Sequence, residues 1–147
     1  MTATMDPTHP RASGRWHAFL LAAALPLFLG AVLSGCAYWS SYEIQWSNFA
    51  SWLMAGGLVF AGIALACALV DLFRAERRGG RLLVYFVLLL LTFVVGFINA
   101  LVHARDAFAV MPTGLVLSVV VLVLAGSATW MAFSYPAFSG WRAGDRR

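Results

Sequence analysis

Asn99, His103 and Asp106 fall at i, i+4 and i+7, so on a helix they project from nearly one face. An imidazole held between a carboxamide and a carboxylate supports two kinds of chemistry. His103 can ligate haem or a metal through a ring nitrogen, with Asn99 or Asp106 orienting the ring. Alternatively, His103 and Asp106 can pass protons, as intramembrane ionisable residues do. A structural role competes with both: Asn99 as interhelical glue, and His103, Arg105 and Asp106 as a solvated cap. Extending the register backwards adds Thr92 and Tyr85. Such a polar stripe must turn into a bundle, because unpaired polar groups facing hydrocarbon cost several kcal/mol. Glu43 and Trp46, from the facing loop, complete the candidate cluster.

The elements that must position this cluster follow from composition. The chain has 147 residues, enough for one domain, of which 62% are hydrophobic and only 11% charged. Its apolar residues gather in long blocks, and each block of roughly 20 is a membrane span. Little is left for a soluble catalytic domain. Four spans are expected at about 18–35, 48–70, 82–102 and 113–133, within a membrane domain covering 17–135. Residues 1–16 read as a disordered tail and 136–147 as a second tail. The fold class expected is an all-α membrane protein, a four-helix transmembrane bundle.

Local signals refine this outline. Pro26 lies inside the first span, where it removes a backbone donor and predicts a kink. Tyr38, Trp39, Tyr42 and Trp46 surround Glu43 in the first loop, as an aromatic belt at headgroup level would. Ser51, Ala55, Gly57, Ala61 and Gly62 are small residues that let a second-span helix approach its neighbours. Gly79-Gly80 supplies a turn within the charge run Asp71 to Arg81.

Nine of the ten basic residues fall in the amino tail, the middle loop and the carboxyl tail; the third loop has only Arg105. The positive-inside rule therefore predicts both termini in the cytoplasm of a bacterium, in its inner membrane. Glu43 and the segment 103–112 would then face the periplasm.

Other chemistries find no support. No basic tract with interleaved aromatics points to nucleic acid. Phosphate-loop, GxSxG and HExxH patterns are missing from the sequence. Cys36 and Cys67 fall in different spans without a CxxC and read as separate thiols. Leu33-Ser34-Gly35-Cys36 also has the form of a bacterial lipoprotein signal, but an aromatic stretch and three further spans follow it. A retained first helix is the expectation. A bis-histidine haem is disfavoured too: His9 and His17 precede the first span, about 30 Å of membrane away from His103. Single-histidine ligation of a haem stays open.

Three stretches carry a resemblance: Trp46-Ser-Asn-Phe-Ala-Ser-Trp-Leu-Met-Ala-Gly-Gly-Leu-Val-Phe, Gly96-Phe-Ile-Asn-Ala-Leu-Val-His-Ala-Arg-Asp-Ala and Met111-Pro-Thr-Gly-Leu-Val-Leu-Ser. With Leu25-Pro-Leu-Phe-Leu-Gly-Ala, they resemble the bacterial membrane proteins grouped as DUF2231, over roughly residues 17 to 135. The resemblance implies a four-span inner-membrane protein and brings no activity with it. Many relatives begin the first span with His-Pro and a further His-Phe-Pro, where this chain has Trp16-His17-Ala18 and a separate Pro26. Two functions follow as expectations. One is a non-enzymatic membrane subunit or accessory protein with a membrane or periplasmic partner, or a homo-oligomer. The other is a haem- or quinone-linked electron-transfer protein using His103.

Overall fold

In hydrocarbon a backbone must satisfy its own polar groups, and a long apolar run does so as a helix. A computed structural model of the chain describes residues 13–74, 80–105 and 110–134. It contains α1 (Ser13–Ser41), α2 (Ile44–Arg74), α3 (Gly80–His103) and α4 (Thr113–Phe133). All four are long and apolar enough to cross a membrane. Residues 75–79 of the middle charge run and the carboxyl tail lie outside the described residues.

Each helix packs against the helices before and after it, and α1 closes the ring by packing on α4. The bundle is thus a square with α1 opposite α3 and α2 opposite α4. One end, the hairpin end, carries the α1–α2 and α3–α4 connections. The other carries the α2–α3 connection, the start of α1 and the end of α4.

Why the helices meet as they do is legible in the spacing of buried positions. On α3 these are Tyr85, Leu89, Thr92, Gly96, Asn99 and His103, steps of four and three in alternation. The buried residues of α2 from Ser47 to Ala68, and those of α1 and α4, keep the same step. A repeat of 3.5 residues is the seam of a left-handed coiled bundle. Many of these positions are Gly or Ala, and large neighbours sit on them. A Cβ at Gly57 would come 2.5 Å from the Phe28 ring, and one at Gly96 would meet Leu58 at 2.8 Å. Close approach of this kind gives helices in lipid their dispersion contact.

These contacts also set the register. Phe28 stands at Gly57, Leu115 at Gly35, His103 at Gly114 and Val121 beside Gly96. The core therefore stacks in layers: Phe28, Gly57, Gly96 and Val121 in one, Ala31, Met54, Asn99 and Ser118 in the next. Gly35, Ala50, His103 and Gly114 form the layer above, and Tyr38, Ser47 and Val110 the outermost one at the hairpin end.

The α1–α2 connection is tighter than the sequence suggests. The aromatics from Tyr38 to Trp46 read as a loop, yet only Tyr42 and Glu43 lie between the helices. Tyr42 takes the left-handed conformation (φ 54°) that ends a helix. Its N–H donates to Tyr38 O at 2.7 Å. Trp39 therefore belongs to α1 and Trp46 to the first turn of α2, both exposed as an interfacial belt requires. Tyr38 differs: it is 1% exposed, because it falls in the core frame of α1. Helix α1 is continuous through Pro26 and through Cys36, which faces outward.

Candidate functional site

Polar side chains in the core concentrate toward the hairpin end. Ser34, Ser47, Asn99, His103 and Ser118 are all buried there, against Thr92 and Thr129 further down. The two threonines turn their hydroxyls to their own helices, Thr92 Oγ1 to Leu88 O at 2.8 Å and Thr129 Oγ1 to Ala125 O at 2.7 Å. Between Thr92 and Asn99 the core layer is Phe28, Gly57, Gly96 and Val121. The part of the expected stripe from Tyr85 to His103 is thus buried on α3 but interrupted by an apolar layer.

Asn99 is the centre of the polar group. It is fully buried, and one edge of its carboxamide faces Met54 Sδ on α2 at 3.8 Å. Toward α4 its amide lies 2.8 Å from Ser118 Oγ, which also lies 2.8 Å from Gly114 O. The orientation that pairs both ends of the amide has Nδ2 donating to Gly114 O (3.1 Å) and Oδ1 accepting from Ser118 Oγ. In either orientation Asn99 joins α3 to α4. In lipid such a bond contributes about 0.6 kcal/mol on average and up to roughly 1.7.

His103 is held by its own helix. Its Nδ1 lies 2.9 Å from Asn99 O. A carbonyl oxygen only accepts, so in this contact Nδ1 is the donor. The 3.1 Å approach of Asn99 Nδ2 to the same Nδ1 is then a contact between two donors and not a hydrogen bond. The ring sits so close to α4 that a Cβ at Gly114 would come 3.0 Å from Cε1. Glycine at 114 is what lets the imidazole reach the helix backbone.

The expected cluster is thereby divided. Asn99 and His103 come together; Glu43 and Trp46 are exposed at the α1–α2 connection, Trp46 N–H donating to Glu43 O at 3.0 Å. Asp106 lies outside the described residues. Sequence reasoning missed Ser118, Gly114, Met54 and Tyr38. No signal in the sequence set the first two apart, since α4 also carries Ser127 and Thr129. Among the described residues no three His, Cys, Asp or Glu side chains converge as a metal site.

Comparison with known proteins agrees with this architecture. The family DUF2231, described as a predicted membrane protein, matches residues 15–142. No curated protein and no solved structure matches the chain. With four helices able to span a membrane and a match across most of its length, the chain belongs to the DUF2231 family of predicted membrane proteins.

Proposed function

We propose that the protein is a non-enzymatic inner-membrane subunit or accessory protein, with both termini in the cytoplasm and the hairpin end toward the periplasm. The observation that carries this reading is the use made of its polar core. Asn99 and Ser118 are occupied in tying α3 to α4, as interhelical hydrogen bonds do in lipid, and His103 Nδ1 is spent on its own helix. The large apolar surface, with Trp52, Phe73 and Trp130 each more than 70% exposed, suits lipid and a membrane-embedded partner or second copy. The arginine distribution supports the orientation. The test is purification from membranes in mild detergent, followed by native electrophoresis. A discrete complex larger than the monomer supports the reading; a monomer alone, with no cross-linked partner in the native membrane, contradicts it.

A second reading has one observation in its favour. An imidazole anchored through Nδ1–H to a carbonyl presents Nε2 as a ligand, the arrangement usual for histidines that hold a metal or haem iron. Under that reading His103 serves electron transfer. A reduced-minus-oxidised spectrum with a haem band, lost in His103→Ala, would favour it over the accessory role.

A further inference from the structure

Ala68, Tyr85 and Ala132 belong to the last core cluster at the end opposite the hairpins. On α2 the buried positions from Ser47 to Ala68 cover about 31 Å, close to the thickness of the hydrocarbon. Helix α2 runs on past Ala68 to end at Arg74, and α3 carries Arg81 one turn before Tyr85. At 1.5 Å per residue these arginines stand about 9 and 6 Å beyond the core, at the level of lipid headgroups.

Both continue the outward faces of their helices. Val70 lies one turn before Arg74 and Val84 three residues after Arg81, spacings that share a helix face. Val70, Phe73, Leu83 and Val84 are all exposed, and α2 packs against α3. An apolar wall thus ends in two arginine positions on adjoining helices.

Charge sets this end apart. Nine arginines stand at or beyond it against Asp6, Asp71, Glu76 and Asp145, whereas the hairpin end has Arg105 against Glu43 and Asp106. The chain holds no lysine, and all ten basic residues are arginine. A guanidinium offers a planar fork that binds phosphate through two parallel hydrogen bonds, where an ammonium is a point charge.

We propose that the α2–α3 side of this end binds an anionic phospholipid, its phosphate on Arg74 and Arg81 and its acyl chains along Val70, Phe73, Leu83 and Val84. Each arginine near an anionic headgroup contributes about fivefold in affinity. The site depends neither on the accessory role nor on which side of the membrane this end faces.

The experiment uses the full chain, delipidated in detergent, with dioleoylphosphatidylglycerol as probe and zwitterionic dioleoylphosphatidylcholine as control. Thermal unfolding is followed against lipid content for wild type, Arg74→Gln, Arg81→Gln and, at the hairpin end, Arg105→Gln. Phosphatidylglycerol is expected to raise the melting temperature of wild type and Arg105→Gln alike, and phosphatidylcholine to leave it unchanged. In Arg74→Gln and in Arg81→Gln the apparent affinity is expected to fall about fivefold. Equal responses to the two lipids overturn the site. So does a phosphatidylglycerol response unchanged in Arg74→Gln and Arg81→Gln, or one weakened as much in Arg105→Gln. A rise reproduced by millimolar inorganic phosphate also overturns it, since the ligand is then a free anion.

Discussion

The Nδ1 of His103 lies 2.9 Å from the main-chain carbonyl of Asn99, one helical turn earlier on α3. Because that oxygen has no proton to give, the geometry fixes the tautomer of a buried imidazole without any side-chain partner. Free histidine prefers the proton on Nε2; His103 is held the other way. Nitrogen NMR of ring-labelled protein in micelles is expected to show a protonated Nδ1 and an unprotonated Nε2. The opposite tautomer would mean that the 2.9 Å contact is not a hydrogen bond and that Nε2 is not an available ligand.

Glycines at helix contacts should be unequal. At Gly57 an added Cβ meets the Phe28 ring at 2.5 Å, whereas at Gly126 nothing lies within 4 Å. Gly57→Ala is expected to destabilise by about 1–3 kcal/mol through overpacking. Gly126→Ala should be neutral or stabilising by a few tenths, up to about 1 kcal/mol, as alanine favours helix. Thermal unfolding in detergent compares them. Equal effects would contradict the register between α1 and α2, and Phe28→Leu should partly rescue Gly57→Ala.

Orientation is tested by reporters. Nine basic residues are assigned to the cytoplasmic side. A carboxyl-terminal alkaline phosphatase fusion should therefore be inactive, and a cytoplasmic reporter at the same place active. A phosphatase joined after Glu43 should show the reverse. Activity of the carboxyl-terminal fusion would invert the bundle.

Much of this arrangement is legible in the sequence, and the illegible parts share a cause. The four spans announce themselves by apolar length, and Asn99 and His103 by their i, i+4 spacing on one helix. Ser118 gives no such sign: one of two serines in an apolar span, it acquires meaning only from the register that sets it against Asn99. Gly114 is equally silent until His103 is seen against it. Tyr38 illustrates the opposite error. Its neighbours Trp39, Tyr42 and Trp46 are the exposed aromatics that interfacial chemistry predicts. Tyr38 itself continues the sequence Leu21, Ala24, Phe28, Ala31 and Gly35 into the core, a frame hidden by an aromatic run that reads equally well as loop. The short connection was concealed too, since Tyr42 takes a backbone conformation usually left to glycine or asparagine.

Asn99 is the clasp between α3 and α4, and the accessory role we propose rests on it more than on any other residue. A double-mutant cycle tests this directly, with Asn99→Leu, Ser118→Ala and the double variant unfolded in the same detergent. Asn99→Leu is expected to cost about 1–2 kcal/mol, and the cycle to return a coupling of roughly 0.5–1.7 kcal/mol. Additive effects, or an Asn99→Leu protein as stable as wild type, would show that the clasp does not hold the bundle and that the polar layer is kept for another purpose.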